Sequence, residues 1–544
     1  MRPHEFDGAT IPEWIRHAAR QFGEREWVVL GDERMSFAEA ERRSGQLARR
    51  MLAAGVGKGS RVGLLLPNGP DFVVAWLAAS RIGALVVPIC TYYQSAELAW
   101  TLRHADVHLL LTAPAVAGHD LLDRLEQAGG ELGPSATPNL RLSTLPYLRH
   151  VWVLGPHERA WATRATTRLD SANELPATLD DEFLSAIERD VTPADPALLV
   201  YTSGSTADPK GVVHGHGTLV RHAHRVNTRR GLESSDRLYT PMPFFWLGGL
   251  HTALLSAMTV GACVLCEERF DPPETLSMLE RERATLVLGW PYHGKALRDD
   301  PGFAARDLGA LRAGARNAIP PTRDEIADPE LRPNWLGMTE AFGPHCMSEM
   351  DRALPEAARG SFGPPLPDFE HVIVDPDTGR ALDAGETGEI CFRGGSLMQA
   401  LYKVERQDTF DPDGFYHTGD GGRFDAQGRL FFTGRLGDTI KTAGANVSPR
   451  EVELALETCP TVKEAYVVGL PDPQRGEVVA AALVAHAGAA VDAEEVRAKV
   501  RAELAAFKVP RILVPLAKDE LPETATGKIR KDRLRDLLIE RLER

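Results

Sequence analysis

The sequence predicts an α/β fold, and three observations support this prediction. Short apolar runs at residues 61–67 and 85–90 flank a helical pattern at residues 71–84, which is the βαβ rhythm of a parallel sheet. The chain has 544 residues and is 43% hydrophobic, so it can bury several cores. After Asp411, strand-like segments separated by Asp and Gly turns replace this rhythm. We therefore expect a large N-terminal α/β domain built of layered sheets and helices, and a small α+β domain after it.

Two stretches of the first part are less regular. Residues 113–195 are rich in Ala, Pro, Thr and Arg with weak periodicity, and we interpret them as a variable connecting region. Residues 238–266 contain no Asp, Glu, Lys or Arg, but prolines and glycines divide them into pieces too short for a membrane-spanning helix. They predict a loop, a helix and a buried strand, and we place Cys263 and Cys266 in that strand instead of in a zinc site.

The last part of the chain alternates helices and strands. In order, the pattern predicts a capped helix, two strands and an amphipathic helix, at residues 448–460, 464–472, 477–488 and 492–507. We place the domain boundary between residues 436 and 437. The predicted domains are therefore residues 1–436 and 437–544.

The charge balance excludes some classes of partner. The chain has 62 Lys and Arg residues against 76 Asp and Glu residues, a net charge of −14, which argues against non-specific binding to nucleic acid or an anionic membrane. Six scattered cysteines suit a reducing compartment, and the N-terminus has no signal-peptide pattern, so we expect a cytoplasmic protein without a transmembrane segment. Only 11 of the basic residues are lysines. We therefore note each lysine that lies inside a motif.

Residues 201–214, YTSGSTADPKGVVH, carry the most specific local signal. Their backbone N–H groups, hydroxyl groups and single lysine are what a polyphosphate needs. The spacing differs from that of the P-loop of NTPases, so that fold is not implied. A solvated Ser/Gly linker is the alternative for this segment taken alone.

Four further segments follow this loop. They are LGMTEAFG, YHTGD, FTGRLGDTIKTAGANVSPREVE and ETATGKIRK, at residues 336–343, 416–420, 432–453 and 523–531. In order and spacing, the five segments resemble the motifs of the adenylate-forming superfamily, which includes acyl-CoA synthetases, the adenylation domains of peptide synthetases, and luciferases. The resemblance covers nearly the whole chain. It implies that the small C-terminal domain is a mobile lid that carries the catalytic lysine.

The resemblance also implies a nucleotide site. In the family the first loop wraps the β- and γ-phosphates of ATP, AGARN (313–317) looks like the segment beside adenine, and Asp420 and Arg435 match the ribose contacts. The residues assigned to the nucleotide are Thr202, Ser203, Gly204, Ser205, Thr206, Lys210, Gly314, Ala315, Arg316, Asp420 and Arg435. Leu336 stands where an aromatic residue usually stacks on adenine.

The catalytic assignments follow from the same motifs. Lys528 matches the catalytic lysine, Thr339 the residue that touches the α-phosphate, and Glu340 the Mg²⁺ ligand. A carboxylate that attacks the α-phosphate brings anion to anion, so positioned cations are the main catalytic requirement.

A second half reaction must bring a thiol to the acyl carbonyl. The resemblance implies that the lid rotates about a hinge at Gly437, where Asp or Lys is more usual, and presents Lys441 and Gly444 to CoA. Glycine tolerates large backbone changes, so rotation is expected here.

The acyl pocket is assigned, again by resemblance, to Trp246, His251, Trp290, Ala341 and Phe342. An aromatic cluster with no matching Arg or Lys favours an apolar acid, fatty or aromatic.

The sequence thus predicts an acid:CoA ligase that uses ATP, Mg²⁺ and coenzyme A and acts through an acyl-adenylate. The alternatives are an acyl-AMP ligase that loads a separate carrier protein, a luciferase-like oxygenase, and a catalytically dead nucleotide-binding homologue. The expected partners are a small carboxylic acid, ATP and CoA, without nucleic acid, and a homodimer is left open.

Overall fold

A computed structural model describes the chain, apart from short gaps, from Phe6 to Glu543. The described residues are 6, 8–133, 137–167, 178–202, 209–312, 326, 328–438, 440–442, 445–472, 475–504, 508–524 and 528–543. Two compact units divide the chain: the first comprises residues 1–370 and 393–415, and the second residues 371–392 and 416–544. The predicted domain boundary between residues 436 and 437 lies inside the second unit and stays a prediction.

The first part of the chain contains most of the helices and strands. The helices are α1 (Ile11–Phe22), α2 (Phe37–Ala53), α3 (Pro70–Arg81), α4 (Ser95–His104), α5 (Leu121–Gly129), α6 (Asp181–Arg189), α7 (His216–Arg230), α8 (Leu247–Gly249), α9 (Ser256–Val260), α10 (Pro272–Arg281) and α11 (Pro291–Asp299). The strands are β1 (Glu26–Leu30), β2 (Glu33–Ser36), β3 (Arg61–Leu65), β4 (Leu85–Pro88), β5 (Leu109–Thr112), β6 (Ala115–Val116), β7 (His119–Asp120), β8 (His150–Leu154), β9 (Thr163–Ala165), β10 (Pro196–Thr202), β11 (Lys210–Gly215), β12 (Arg237–Tyr239), β13 (Cys263–Cys266), β14 (Leu286–Val287), β15 (Trp335–Met338), β16 (Gly343–Met347), β17 (Phe369–Val374), β18 (Gly388–Gly394) and β19 (Ala400–Leu401).

The second part is smaller. Its strands are β20 (Tyr416–Phe424), β21 (Leu430–Arg435), β22 (Ile440–Thr442), β23 (Ala445–Val447), β24 (Val462–Asp472), β25 (Gly476–Ala485) and β26 (Ile512–Pro515), and its helices are α12 (Pro449–Glu457), α13 (Ala493–Glu503) and α14 (Lys531–Glu543).

Two large sheets form the framework of the first unit. One has the strand order β19-β11-β10-β4-β3-β5-β8-β9, and the other has the order β14-β12-β13-β1-β2. Helix α3 contacts strands of both sheets and is buried from Phe72 to Arg81, which explains why this part of its sequence is apolar on nearly every face. This arrangement confirms the predicted layered α/β fold.

The structure corrects the interpretation of residues 113–195. They are not only a connection, because β8 pairs in parallel with β5 and β9 pairs with β8, so both extend the large sheet. In the uncharged stretch, the predicted helix and buried strand are confirmed: Cys263 and Cys266 are buried in β13. The sequence did not indicate β12, nor the π-helical turn Leu250–Leu255 between α8 and α9.

The five-stranded sheet of the second unit is covered on both faces. Alternate residues of β25 point to opposite sides: Val479, Ala481 and Leu483 belong to one core, and Val478, Ala480 and Ala482 to the other. This is the period-2 pattern of a strand, and it is apolar throughout because both faces are buried.

The predicted cap of α12 is wrong in detail. The helix begins after Ser448, but the side chain of Ser448 accepts no hydrogen bond from the first turn. Its hydroxyl donates instead to the carbonyl of Thr433, in β21. Ser448 therefore connects the helix to the strand that carries Arg435.

Candidate active site

The predicted phosphate loop is the connection of a β-hairpin. Strands β10 and β11 are antiparallel, and Thr202 at the end of one lies opposite Lys210 at the start of the other. The hairpin therefore fixes the backbone of the predicted cation at the base of the loop. Several predicted nucleotide and CoA residues lie outside the described residues: Ser203, Gly204, Ser205, Thr206, Gly314, Ala315, Arg316 and Gly444.

The predicted α-phosphate and Mg²⁺ residues share one tight turn. Residues Thr339–Ala341 form a short 3-10 helix between β15 and β16. His214 Nε2 lies 2.8 Å from the carbonyl oxygen of Thr339, and the amide of Met398 donates to the carbonyl of Glu340 over 2.8 Å. The backbone of the turn is thus held from two sides, and the Glu340 residue is 8% exposed.

His214 joins this turn to the phosphate hairpin, because it belongs to β11, whose first residue is Lys210. A carbonyl oxygen only accepts, so Nε2 of His214 must carry the proton. Burial lowers the pKa of His214 to about 4, which keeps the ring neutral at pH 7. One strand therefore positions both the predicted phosphate cation and the predicted catalytic turn.

A histidine cluster, His214, His222 and His251, lies behind the turn. The buried ring of Phe342 is 4.8 Å from His214 and 4.9 Å from His251, centroid to centroid. His222 and His251 stack on each other at 4.9 Å. Burial lowers the pKa of His222 to about 3 and that of His251 well below its usual value, so the cluster is a neutral, packed support. Of the predicted pocket residues, His251, Ala341 and Phe342 are buried in this region.

The other predicted pocket residues belong to an aromatic group formed by Tyr92, Phe245, Trp246 and Trp290. The rings of Trp246 and Trp290 meet at 5.7 Å, and Tyr92 lies 5.6 Å from Phe245 and 6.1 Å from Trp246. Sequence reasoning missed Tyr92, which is 54% exposed. Its position shortly after β4 was an available signal, because ligands of α/β sheets bind beyond the carboxyl ends of the strands.

In the second unit, the predicted ribose residues face each other across a hairpin. Asp420 in β20 lies opposite Arg435 in β21, and Arg435 Nε is 2.8 Å from Asp420 Oδ1. A second nitrogen of Arg435 donates to the carbonyl of Thr418. The guanidinium of Arg435 thereby orients the Asp420 carboxylate, which suits an acceptor of two hydroxyl hydrogen bonds.

The predicted catalytic lysine occupies an exposed site in the second unit. The amide of Lys528 donates to Thr524 Oγ1 over 3.1 Å, and the amide of Thr524 donates to the carbonyl of Lys528 over 2.8 Å. The predicted hinge, Gly437, lies in the short turn Leu436–Asp438 directly after β21. Lys441 lies in β22.

Ion pairing divides the lysines into two groups. Most of them pair with a carboxylate: Lys58, Lys295, Lys403, Lys463, Lys508, Lys518 and Lys531. Within the described part of the chain, Lys210, Lys499 and Lys528 have no ion pair, and Lys499 donates to the carbonyl of Thr458. The two lysines that motif reasoning assigned to phosphate chemistry are therefore cations that no described carboxylate neutralises.

Comparison with known proteins supplies the family. Residues 15–402 match the family model described as AMP-binding enzyme, and residues 451–528 match the AMP-binding enzyme C-terminal domain. The chain belongs to the AMP-binding enzymes. This AMP-binding enzyme is 30% identical to the putative acyl-CoA synthetase YngI of Bacillus subtilis (strain 168), over 98% of this chain and 97% of that protein.

Two further comparisons agree with this assignment. The enzyme is 31% identical to a feruloyl-CoA synthase of Amycolatopsis sp, over 96% of this chain and 98% of that protein. Its fold is similar to that of the anthranilate CoA ligase AuaEII in complex with anthranoyl-AMP, with a TM-score of 0.79 and 23% identity over 100% of both chains.

The comparisons confirm the predicted adenylate-forming family, its acyl-CoA synthetase branch and the acid:CoA ligase class. Acyl-CoA ligase activity through an adenylate is the activity of this family, and its members bind ATP. No helix in the described residues is long and apolar enough to cross a membrane. The roles of single residues, and those of Mg²⁺ and CoA, stay predictions.

Proposed function

We propose that this enzyme is an ATP- and Mg²⁺-dependent acid:CoA ligase for an apolar acid, fatty or aromatic. The observation that carries the substrate class is the aromatic group. Trp246 contacts Tyr92, Phe245 and Trp290 edge to face. A pocket lined by aromatic rings favours an apolar substrate, because a charged substrate group would lose its hydration there. The related feruloyl-CoA synthase supports an aromatic acid.

In the first half reaction, a carboxylate oxygen of the acid attacks the α-phosphorus of ATP. The bond from that phosphorus to the bridging oxygen breaks, and pyrophosphate leaves. Lys528 stabilises the negative charge that grows on the phosphorus oxygens, and Lys210 binds the departing phosphates with Thr202 and the loop residues Ser203, Gly204, Ser205 and Thr206. Thr339 contacts the α-phosphate, and Asp420 and Arg435 hold the ribose.

The turn at Glu340 fits a Mg²⁺ ligand. Its carboxylate is a hard oxygen donor on a fixed backbone in a site that excludes most water, and Mg²⁺ is usually held by one or two carboxylates together with substrate phosphates. When bound, Mg²⁺ would neutralise phosphate charge.

In the second half reaction, the sulfur of CoA attacks the acyl carbonyl, and AMP leaves. The lid turns about Gly437, so that Lys441 and Gly444 face the thiol while Lys528 withdraws. We assign the adenine contacts to Gly314, Ala315 and Arg316. A cytoplasmic location and a homodimer stay predictions.

The test is pyrophosphate release across a panel of fatty, aromatic, dicarboxylic and amino acids, with CoA, with a carrier protein, or with no acceptor. We expect apolar acids to be adenylated and CoA to give the thioester. Turnover only with a carrier protein would show that the carrier, and not CoA, is the acyl acceptor. A preference for dicarboxylic or amino acids would overturn the proposed substrate class.

The hinge has its own test. Gly437→Pro fixes φ near −65° and removes the amide donor. We expect it to leave acyl-adenylate formation largely intact and to block thioester formation. Equal loss of both half reactions would contradict the hinge at Gly437.

A further inference from the structure

Three potential metal ligands converge in the second unit, on strands β18 and β20. They are Glu389, Cys391 and His417, and one ligand atom of each lies within 4.8 Å of the others. We propose that they form a binding site for a divalent transition-metal ion of the zinc type. It is distinct from the Mg²⁺ site proposed at Glu340.

The strand pairing explains why these side chains meet. Residues i and i+2 of a strand point to the same face, so Glu389 and Cys391 share one side of β18. Cys391 lies opposite His417 while Glu389 lies opposite Gly421, which places a bulge between the two pairs. The extra residues of β20 let His417 face both side chains. Bulges of this kind often re-aim a side chain beside a functional site.

The contacts converge on one atom. Nδ1 of His417 lies 2.8 Å from Glu389 Oε2 and 3.3 Å from Cys391 Sγ. An imidazole nitrogen has one position in the ring plane, which holds either a proton or a lone pair. If it donates to Glu389, it cannot also accept from the Cys391 thiol. A cation could instead bind the Nδ1 lone pair, the thiolate and the carboxylate together.

The distances are close to those of a zinc site. Zinc bonds of about 2.3 Å to sulfur and about 2.0–2.2 Å to nitrogen and oxygen, in a tetrahedron, set the ligand atoms roughly 3.3–3.6 Å apart. The 3.3 Å from sulfur to nitrogen fits, and the nitrogen and oxygen need to separate by about half an ångström. A set of thiolate, imidazole and carboxylate selects zinc-type ions over Mg²⁺ or Ca²⁺.

The surroundings orient the ligands and leave an entry path. Glu389 Oε1 accepts from the amide of Gly419 over 2.9 Å, the kind of outer contact that fixes a ligating carboxylate. The His417 side chain is 45% exposed, whereas Cys391 is buried, so the ion would enter beside the imidazole, with water in the fourth position. An ion here would connect β18 to β20 next to Asp420.

The experiment is a titration of the full-length enzyme with Co²⁺ under a phosphine reductant that does not bind metal. Thiolate ligation gives a sulfur-to-cobalt charge-transfer band, and added Zn²⁺ should remove it. The variants are Cys391→Ala and His417→Gln. The matched control is Cys459→Ala, which removes another buried cysteine of the second unit.

We expect the band, and a rise in melting temperature with Zn²⁺, in the wild type and in Cys459→Ala. Both should be lost in Cys391→Ala, and His417→Gln should weaken binding about 10–100-fold or more. Absence of the band in the wild type, or its persistence in Cys391→Ala, would overturn the site. Neither result depends on the identity of the acid.

Discussion

The turn at Thr339 and Glu340 and the segment around Lys528 differ in how firmly they are held. The turn receives hydrogen bonds from His214 and Met398 and packs on the buried ring of Phe342. Lys528 is exposed, and its backbone makes two hydrogen bonds with Thr524, one to the side-chain hydroxyl and one from the amide. The groups proposed to bind the nucleotide are thus preorganised, whereas the proposed catalytic cation is on a lightly held surface segment. This contrast suits a lysine that must act in one half reaction and withdraw in the next.

The largest expected effect comes from Lys528, in the exposed segment. For Lys528→Ala we expect acyl-adenylate formation to fall roughly 10²–10³-fold, the loss typical of removing one preorganised charge-stabilising donor. Thioester formation from supplied acyl-adenylate should fall much less. Single-turnover assays of the two half reactions measure both values.

A matched control is Lys499→Ala, a half-buried lysine of the second unit, whose ammonium donates to the carbonyl of Thr458. It should leave both half reactions unchanged. Lys528→Arg should restore little of the lost acyl-adenylate formation, because a planar guanidinium does not replace a compact ammonium. An unaffected first half reaction in Lys528→Ala would remove the role given to Lys528.

The next effect concerns the Asp420 and Arg435 pair, which is firmly placed by its hairpin. We expect Asp420→Ala to raise the KM for ATP about 10–100-fold, because hydrogen bonds to a charged group are worth about 1.5–3 kcal/mol. The kcat should change less. Asp536→Ala, on the exposed face of α14, is the control. A kcat loss at unchanged KM would contradict a ribose contact.

The firmly held elements are also those that sequence patterns predicted best. The strand and helix between residues 61 and 81 and strand β25 follow from continuous apolar runs, because such a run indicates an element that is buried on all sides. Strand β8 was missed because its short apolar run lies among polar residues without a clear period. The support from His214 and the aromatic contact of Tyr92 depend on residues brought together by the fold, and periodicity carries no information about such contacts.

A smaller effect is expected at His214, and it tests whether this residue holds the turn Thr339–Ala341 in position. His214→Leu leaves the carbonyl of Thr339 without its donor, which costs about 1–3 kcal/mol. We expect kcat/KM for adenylation to fall about tenfold, mainly through kcat. His214→Gln retains an N–H donor and should recover part of the loss. If Gln and Leu behave alike, His214 acts only by filling space.

The histidine cluster predicts a dependence of stability on pH. Burial lowers the pKa of His214 to about 4 and that of His222 to about 3, so below about pH 6.5 the unfolded chain binds protons that the folded chain does not. The free energy of unfolding therefore has its full value above about pH 6.5. On acidification it falls by up to about 1.4 kcal/mol per pH unit for each histidine, until the pH reaches the pKa of that histidine in the folded protein.

The variant His222→Leu checks this origin. Its melting temperature should fall less between pH 7 and pH 5 than that of the wild type, because one of the protonation steps has been removed. His119→Leu, in an exposed strand, should behave as the wild type. Parallel pH profiles for the wild type and His222→Leu would show that other groups cause the acid sensitivity.

The smallest expected effect is at Gly437, the proposed hinge. Gly437 does not have a positive φ, and among the described residues a Cβ added there would meet nothing within 4 Å. Gly437→Ala should therefore leave acyl-adenylate formation within about twofold of the wild type, because alanine fits the observed backbone. If thioester formation is equally spared, the hinge needs only ordinary backbone rotation. If it falls while adenylation does not, the second conformation requires a backbone angle open to glycine alone, which would explain why this chain has glycine at the hinge.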